Sequence, residues 1–187
     1  MIIDESIPGW SDVNKLRYLA KLATRVPEDG WIVEIGSFCG RSAYALGMNK
    51  KQSVKLTCFD QFPYQPQSIP NSCYGDLSMN YCYEAFLHNM REVENLETGR
   101  IIMPLKIDFL SFTKQIDLIF IDCVHTYDAV KADIDTWFKF MKPGGVMVFD
   151  DYFDMFPGTI RAVDEFVAEV KPTTTQVISS TALAVYL

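Results

Sequence analysis

Two apolar runs in this 187-residue chain end abruptly on acids. IDLIFIDCVHTYDAV (116–130) stops at Asp122, and GGVMVFDDYFD (144–154) stops at Asp150 and Asp151. One of the chain's two histidines, His125, follows Asp122 by three residues. Buried strands have no use for carboxylates at their ends. Three acids gathered without a cation would repel one another and lose their protons only at raised pH. A hard divalent cation with oxygen ligands removes that conflict, and Mg²⁺ suits such a donor set. Asp122, Asp150 and Asp151 are therefore the candidate metal ligands. A cation held there lowers the pKa of a bound hydroxyl, and His125 is placed to accept the proton as a general base. Asp122 and His125 are the candidate catalytic residues.

A second group lies earlier. WIVEIGSFCGRSA (31–43) carries Glu34, then Gly36 and Gly40 four apart, with Ser37, Phe38 and Ser42 among them. Glycines let the backbone turn sharply and let a ligand come close, and a helix start after Gly40 offers free N–H groups. A dinucleotide site would place a glycine where Phe38 stands, and Glu34 would repel a pyrophosphate. Both features favour a ligand with a cationic amino-acid portion. CFDQF (58–62) adds Asp60, a carboxylate suited to both hydroxyls of a ribose, with Gln61 beside it, and KIDF (106–109) adds Asp108.

The elements that must position these residues follow from periodicity. Residues 11–26 carry an apolar helical face, with Ser11 as the expected N-cap. WIVEIG (31–36), VKLTCFD (54–60), RIIMPLK (100–106), IDLIFID (116–122) and GVMVFDD (145–151) read as strands. Helices are expected over 40–49, 81–97, 126–141 and 157–170, and QVIS (176–179) with ALAVYL (182–187) closes the chain as two strands. Trp137 and Phe138 fall at helical spacing with apolar neighbours and are expected in the core. Alternating strands and helices, with continuously apolar strands, indicate a parallel sheet covered on both faces. The expected fold is α/β: a Rossmann-like three-layer sandwich with a mostly parallel seven-stranded sheet and an antiparallel C-terminal edge. In such a sheet ligands bind beyond the carboxyl ends of the strands, where every one of these acids falls. The aperiodic segment 61–80, rich in proline and tyrosine, is the expected substrate loop. No linker interrupts the chain, and one domain over 1–187 is expected.

Over nearly its whole length the sequence resembles the class I S-adenosylmethionine-dependent methyltransferases, with VEIGSFCGRS as their first motif, CFDQF as the ribose acid and KIDF as the segment near the adenine. FIDCVHTYDAVKADIDTWFKFMKPGGVMVFDDY resembles more narrowly the metal-dependent macrocin O-methyltransferase-like group and its cephalosporin-hydroxylase-like relatives. The resemblance implies methyl transfer from S-adenosylmethionine to a hydroxyl of a small polar, sugar-containing molecule, assisted by Mg²⁺. It implies cofactor contacts at Glu34, Gly36, Ser37, Phe38, Gly40, Ser42, Asp60, Gln61, Asp108 and Asp122. Two other readings stay open: the same transfer without a metal, and a binding protein on the same fold.

Composition narrows the partners. A net charge of −7 gives no basic face for a nucleic acid. The apolar runs fall far short of the roughly 20 residues of a membrane span. The start MIIDESIPGW lacks the basic and apolar regions of a signal peptide, so a cytoplasmic location is expected. Five cysteines without a CxxC pair suggest neither a disulfide framework nor a zinc site. The expected partner is a small-molecule substrate, and a homo-oligomer remains open.

Overall fold

The computed structural model describes residues 1–62, 79–100, 115–122 and 124–187. Within them, β1 (Trp31–Ile35), β2 (Lys55–Asp60), β3 (Leu96–Arg100), β4 (Ile116–Ile121), β5 (Met141–Phe149), β6 (Thr174–Ser179) and β7 (Ala182–Tyr186) form one seven-stranded sheet in the order β3-β2-β1-β4-β5-β7-β6. All pairings from β3 to β5 are parallel. β7 runs antiparallel to both β5 and β6. The expected α/β architecture, with its antiparallel C-terminal edge, is present.

Side chains alternate across each strand, which builds two apolar layers. Val33, Ile35, Ile119 and Ile121 meet α4 (Tyr127–Trp137) and α5 (Pro157–Val170) through Ile134, Trp137, Val163 and Phe166. Ile32, Leu56, Leu118 and Phe120 meet α1 (Val13–Arg25), α2 (Arg41–Gly47) and α3 (Met79–Asn89) through Leu19, Leu46 and Phe86.

Four local expectations need correction. Asp12, not Ser11, caps α1: its Oδ1 accepts from the backbone N–H of Asn14 at 2.8 Å and of Lys15 at 3.1 Å. The helix expected over 81–97 ends at Asn89, and the third strand begins at Leu96 instead of Arg100. LETGR has no strand-like alternation, but Gly99 explains its place. A Cβ there would come within 2.3 Å of the Phe59 ring, so glycine alone lets β3 lie against β2. Residues 101–106 of the expected strand lie outside the described residues. Finally, Trp137 is fully buried against Phe59, whereas Phe138 is 38 % exposed. The chain leaves α4 for a 3₁₀ turn over Phe138–Phe140, which rotates Phe138 to the edge of the layer, where its ring meets Phe166.

Candidate active site

The sheet's hydrogen bonding runs one residue past the strands and carries the acids into line. Gly36 N–H donates to the Phe59 carbonyl at 2.7 Å, Asp122 N–H to Ile35 at 2.8 Å, and Asp150 N–H to Ile121 at 2.9 Å. The carboxyl ends of β2, β1, β4 and β5 thus stand side by side, with the change of strand direction in sequence order falling between β1 and β4. This is where an open α/β sheet binds its ligand.

On the β1–β2 side, the glycine loop takes a backbone path that its sequence allows. Gly36 and Gly40 have φ of 89° and 91°, and Phe38 is held at φ 45°. Asp60 fixes this path: its Oδ2 accepts from Phe38 N–H at 2.7 Å and its Oδ1 from Gln61 N–H at 2.6 Å. Each carboxylate oxygen accepts more than one bond, so further acceptor capacity remains. Burial raises the Asp60 pKa, and its backbone donors pull it back. The Phe38 ring lies 5.0 Å from Trp10. Ser37 and Ser42 are buried beside Glu34, and Gln61 is exposed.

Glu34 is sealed beneath the loop with no exposed surface. No hydrogen bond of good geometry among the described residues reaches either of its oxygens, or Ser37 Oγ. Burial pushes its pKa from 4.5 up to about 7, and looser contacts from Ser37, Ser42 and Cys58 offset this only in part. A buried carboxylate left without donors is costly. Its charge is suited to a cationic group brought onto the loop, and the site fits a ligand with an ammonium.

On the β4–β5 side, Asp122 faces Asp150, and loss of hydration followed by the Asp150 charge pushes the Asp122 pKa well up, with Lys15 countering. Asp151 sits at φ 53°, an uncommon backbone state that aspartate tolerates. Its N–H donates to Asp150 Oδ1 at 2.8 Å. The turn directs its Oδ2 to His125 Nε2 at 3.1 Å. Burial raises the Asp151 pKa, as does the Asp150 charge, while His125 and Lys15 lower it.

The N-terminus of α5 holds His125 in place. The His125 ring lies 4.6 Å from Phe156, and its carbonyl accepts from Thr159 Oγ1 at 3.4 Å. A Cβ on Gly158 would come within 2.6 Å of Tyr127 N, so the two segments touch backbone to backbone. Tyr127 is covered by Arg161, whose guanidinium lies 3.5 Å above the ring.

Among the described residues, Asp122, His125 and Asp151 offer one ligand atom each, all within 4.8 Å of one another. The two carboxylates at that spacing fit a divalent cation, with the imidazole beside them. Asp150 stands next to this group but is gripped elsewhere. Lys15 Nζ lies 2.5 and 2.6 Å from its two oxygens, and both residues are buried. Lys15 lies outside the strand-end motifs. Its signal was available: with Leu19, Leu22 and Val26 it falls on the apolar stripe of α1, where a lone cation needs an acidic partner. Asp108 and residues 63–78 of the expected substrate loop lie outside the described residues.

Solved structures share this architecture. The O-methyltransferase NovP superposes with a TM-score of 0.71 at 16% identity, over 93% of this chain and 79% of that one. CalS11, a TDP-rhamnose 3'-O-methyltransferase of calicheamicin biosynthesis, gives 0.65 at 15% identity, over 91% and 76%. An O-methyltransferase from Bacillus cereus in complex with SAH gives 0.65 at 17% identity, over 97% and 85%. The chain is also 30% identical over 146 residues to uncharacterized protein R132 of Acanthamoeba polyphaga mimivirus, a match that takes in 77% of this chain and 62% of that protein's length. Residues 33–152, from the glycine-loop strand through the Asp150–Asp151 pair, match the methyltransferase-domain family, and the chain belongs to that family.

Proposed function

We propose that this protein is an S-adenosylmethionine-dependent O-methyltransferase that methylates a hydroxyl of a small polar molecule with the help of a divalent cation, Mg²⁺ by donor chemistry. The observation that carries the reading is the pairing of two sites across the β1–β4 boundary. One is a donor-starved acid under a glycine loop. The other is a carboxylate–imidazole cluster one strand away.

The glycine loop, with Glu34 beneath it, would receive the amino-acid end of the cofactor, and Asp60 would keep acceptor capacity for the ribose. Asp122 and Asp151 would hold the cation, with Asp150 beside them. S-adenosylmethionine carries a methyl group on a sulfonium, and a bound divalent cation makes a hydroxyl more acidic. The ring nitrogen of His125 that does not face Asp151 would accept the hydroxyl proton, while Asp151, 3.1 Å from Nε2, would stabilise the resulting imidazolium. The acceptor oxygen forms a bond to the methyl carbon as the carbon–sulfur bond breaks, leaving S-adenosylhomocysteine and an O-methyl product. Positioning the two reactants supplies much of the remaining acceleration. The similarity to CalS11, which acts on a TDP-rhamnose, favours a sugar-bearing acceptor.

The test is methyl transfer to hydroxyl compounds with and without a chelator. EDTA should abolish it and Mg²⁺ should restore it; transfer indifferent to EDTA would remove the metal from the reading.

A further inference from the structure

We infer that Lys15 is a resident counter-ion of the acidic centre, one that holds Asp150 when no divalent cation is bound and competes with that cation when it arrives. The inference rests on the metal reading above and concerns a residue outside the strand ends that the motifs mark.

Lys15 is 3 % exposed, and its ammonium contacts both oxygens of Asp150, itself 6 % exposed. A buried charge persists only when it is paired, so each residue needs the other. Lys15 has little freedom to withdraw. The helix that carries it is capped by Asp12 one turn earlier, and its neighbours Leu16 and Leu19 are fully buried. The segment before it is tied to α2, where Arg41 Nη1 donates to the Gly9 carbonyl at 2.6 Å. With a cation bound and all three carboxylates ionised, one ammonium leaves two negative charges, which one divalent cation balances. Lys15 therefore makes the centre neutral with the cation bound, and makes that cation exchangeable.

A salt bridge that only stabilised the fold would, when removed, weaken everything the site does. A competing cation gives opposite signs. Lys15→Met should lower the melting temperature of the metal-free protein, because Asp150 loses its partner. The same variant should bind Mn²⁺, the probe cation, at least about tenfold more tightly, since a fixed like charge no longer faces a divalent ion at close range. Lys15→Arg keeps the charge and should bind Mn²⁺ within about threefold of the parent, by the same argument. Calorimetric titration of the full chain with Mn²⁺, without acceptor, reads all three. Should Lys15→Met fail to fold, Lys15→Gln, which can still donate to Asp150, carries the same comparison. Equal or weaker Mn²⁺ binding by the neutral variant, with the parent binding normally, overturns the role of Lys15 alone. Absence of Mn²⁺ binding by the parent overturns the metal reading and this inference with it.

Discussion

Replacing Glu34 with glutamine should make the ligand-free protein more stable, and only above acidic pH. Glu34 is fully buried, without a well-formed hydrogen bond among the described residues, and burial raises its pKa from 4.5 to about 7. The folded state thus holds the proton more tightly than the unfolded chain does. Well below pH 4.5 both states are protonated and the ionisation cost vanishes. Between 4.5 and 7 the unfolded chain releases its proton first, and stability falls as pH rises. Above 7 the full cost of about 3 kcal/mol applies. Glutamine never ionises and escapes it. For a domain of this size the gain corresponds to a rise of about 6–12 °C in Tm. Thermal melts of both proteins from pH 4 to 8.5 should give a difference near zero at the acid end that grows to a plateau above pH 7. With S-adenosylhomocysteine present at pH 8 the order should narrow or invert, because the charge that destabilises the empty loop attracts the ligand's ammonium. A difference that does not change with pH, or a glutamine variant that is less stable at pH 8, would refute the reasoning.

Two further outcomes follow from the geometry. Gly40→Ala places a Cβ 3.1 Å from the Phe86 ring and 3.3 Å from Met90 Sδ, at φ 91°; it should cost about 1–2 kcal/mol in urea denaturation and weaken S-adenosylhomocysteine binding. His125→Ala should lower single-turnover methyl transfer by about 10²–10⁴ while leaving S-adenosylhomocysteine affinity unchanged, since the ring touches Asp151 and Phe156 and not the glycine loop.

Much of the architecture is written in local patterns. β4 and β5 are legible because continuous apolar runs end on acids, and α5 because proline begins it and its apolar face repeats every three to four residues. β3 is not legible, because LETGR becomes a strand through the fit of Gly99 beneath Phe59, a contact between residues forty apart. The position of Phe138 depends on where α4 tightens into a 3₁₀ turn, which periodicity does not mark. At the site, strand-end acids could be located by counting, since the sheet sets them in line. Their partners could not. The ion pair between Lys15 and Asp150 joins residues 135 apart, and nothing in the spacing of either segment chooses Asp150 over Asp122 or Asp151. The turn at Asp151 that brings its carboxylate to His125 is likewise a backbone event, without a glycine to announce it.

The most direct test of the account is transfer of a ¹³C-labelled methyl group from S-adenosylmethionine to a panel of sugar, nucleotide-sugar and catechol hydroxyls, with product detection by NMR. A new O-methyl signal should appear on at least one acceptor, lost on chelation with EDTA and recovered on adding Mg²⁺. A methyl group found on nitrogen or carbon, or an O-methyl product formed equally well in EDTA, would contradict it.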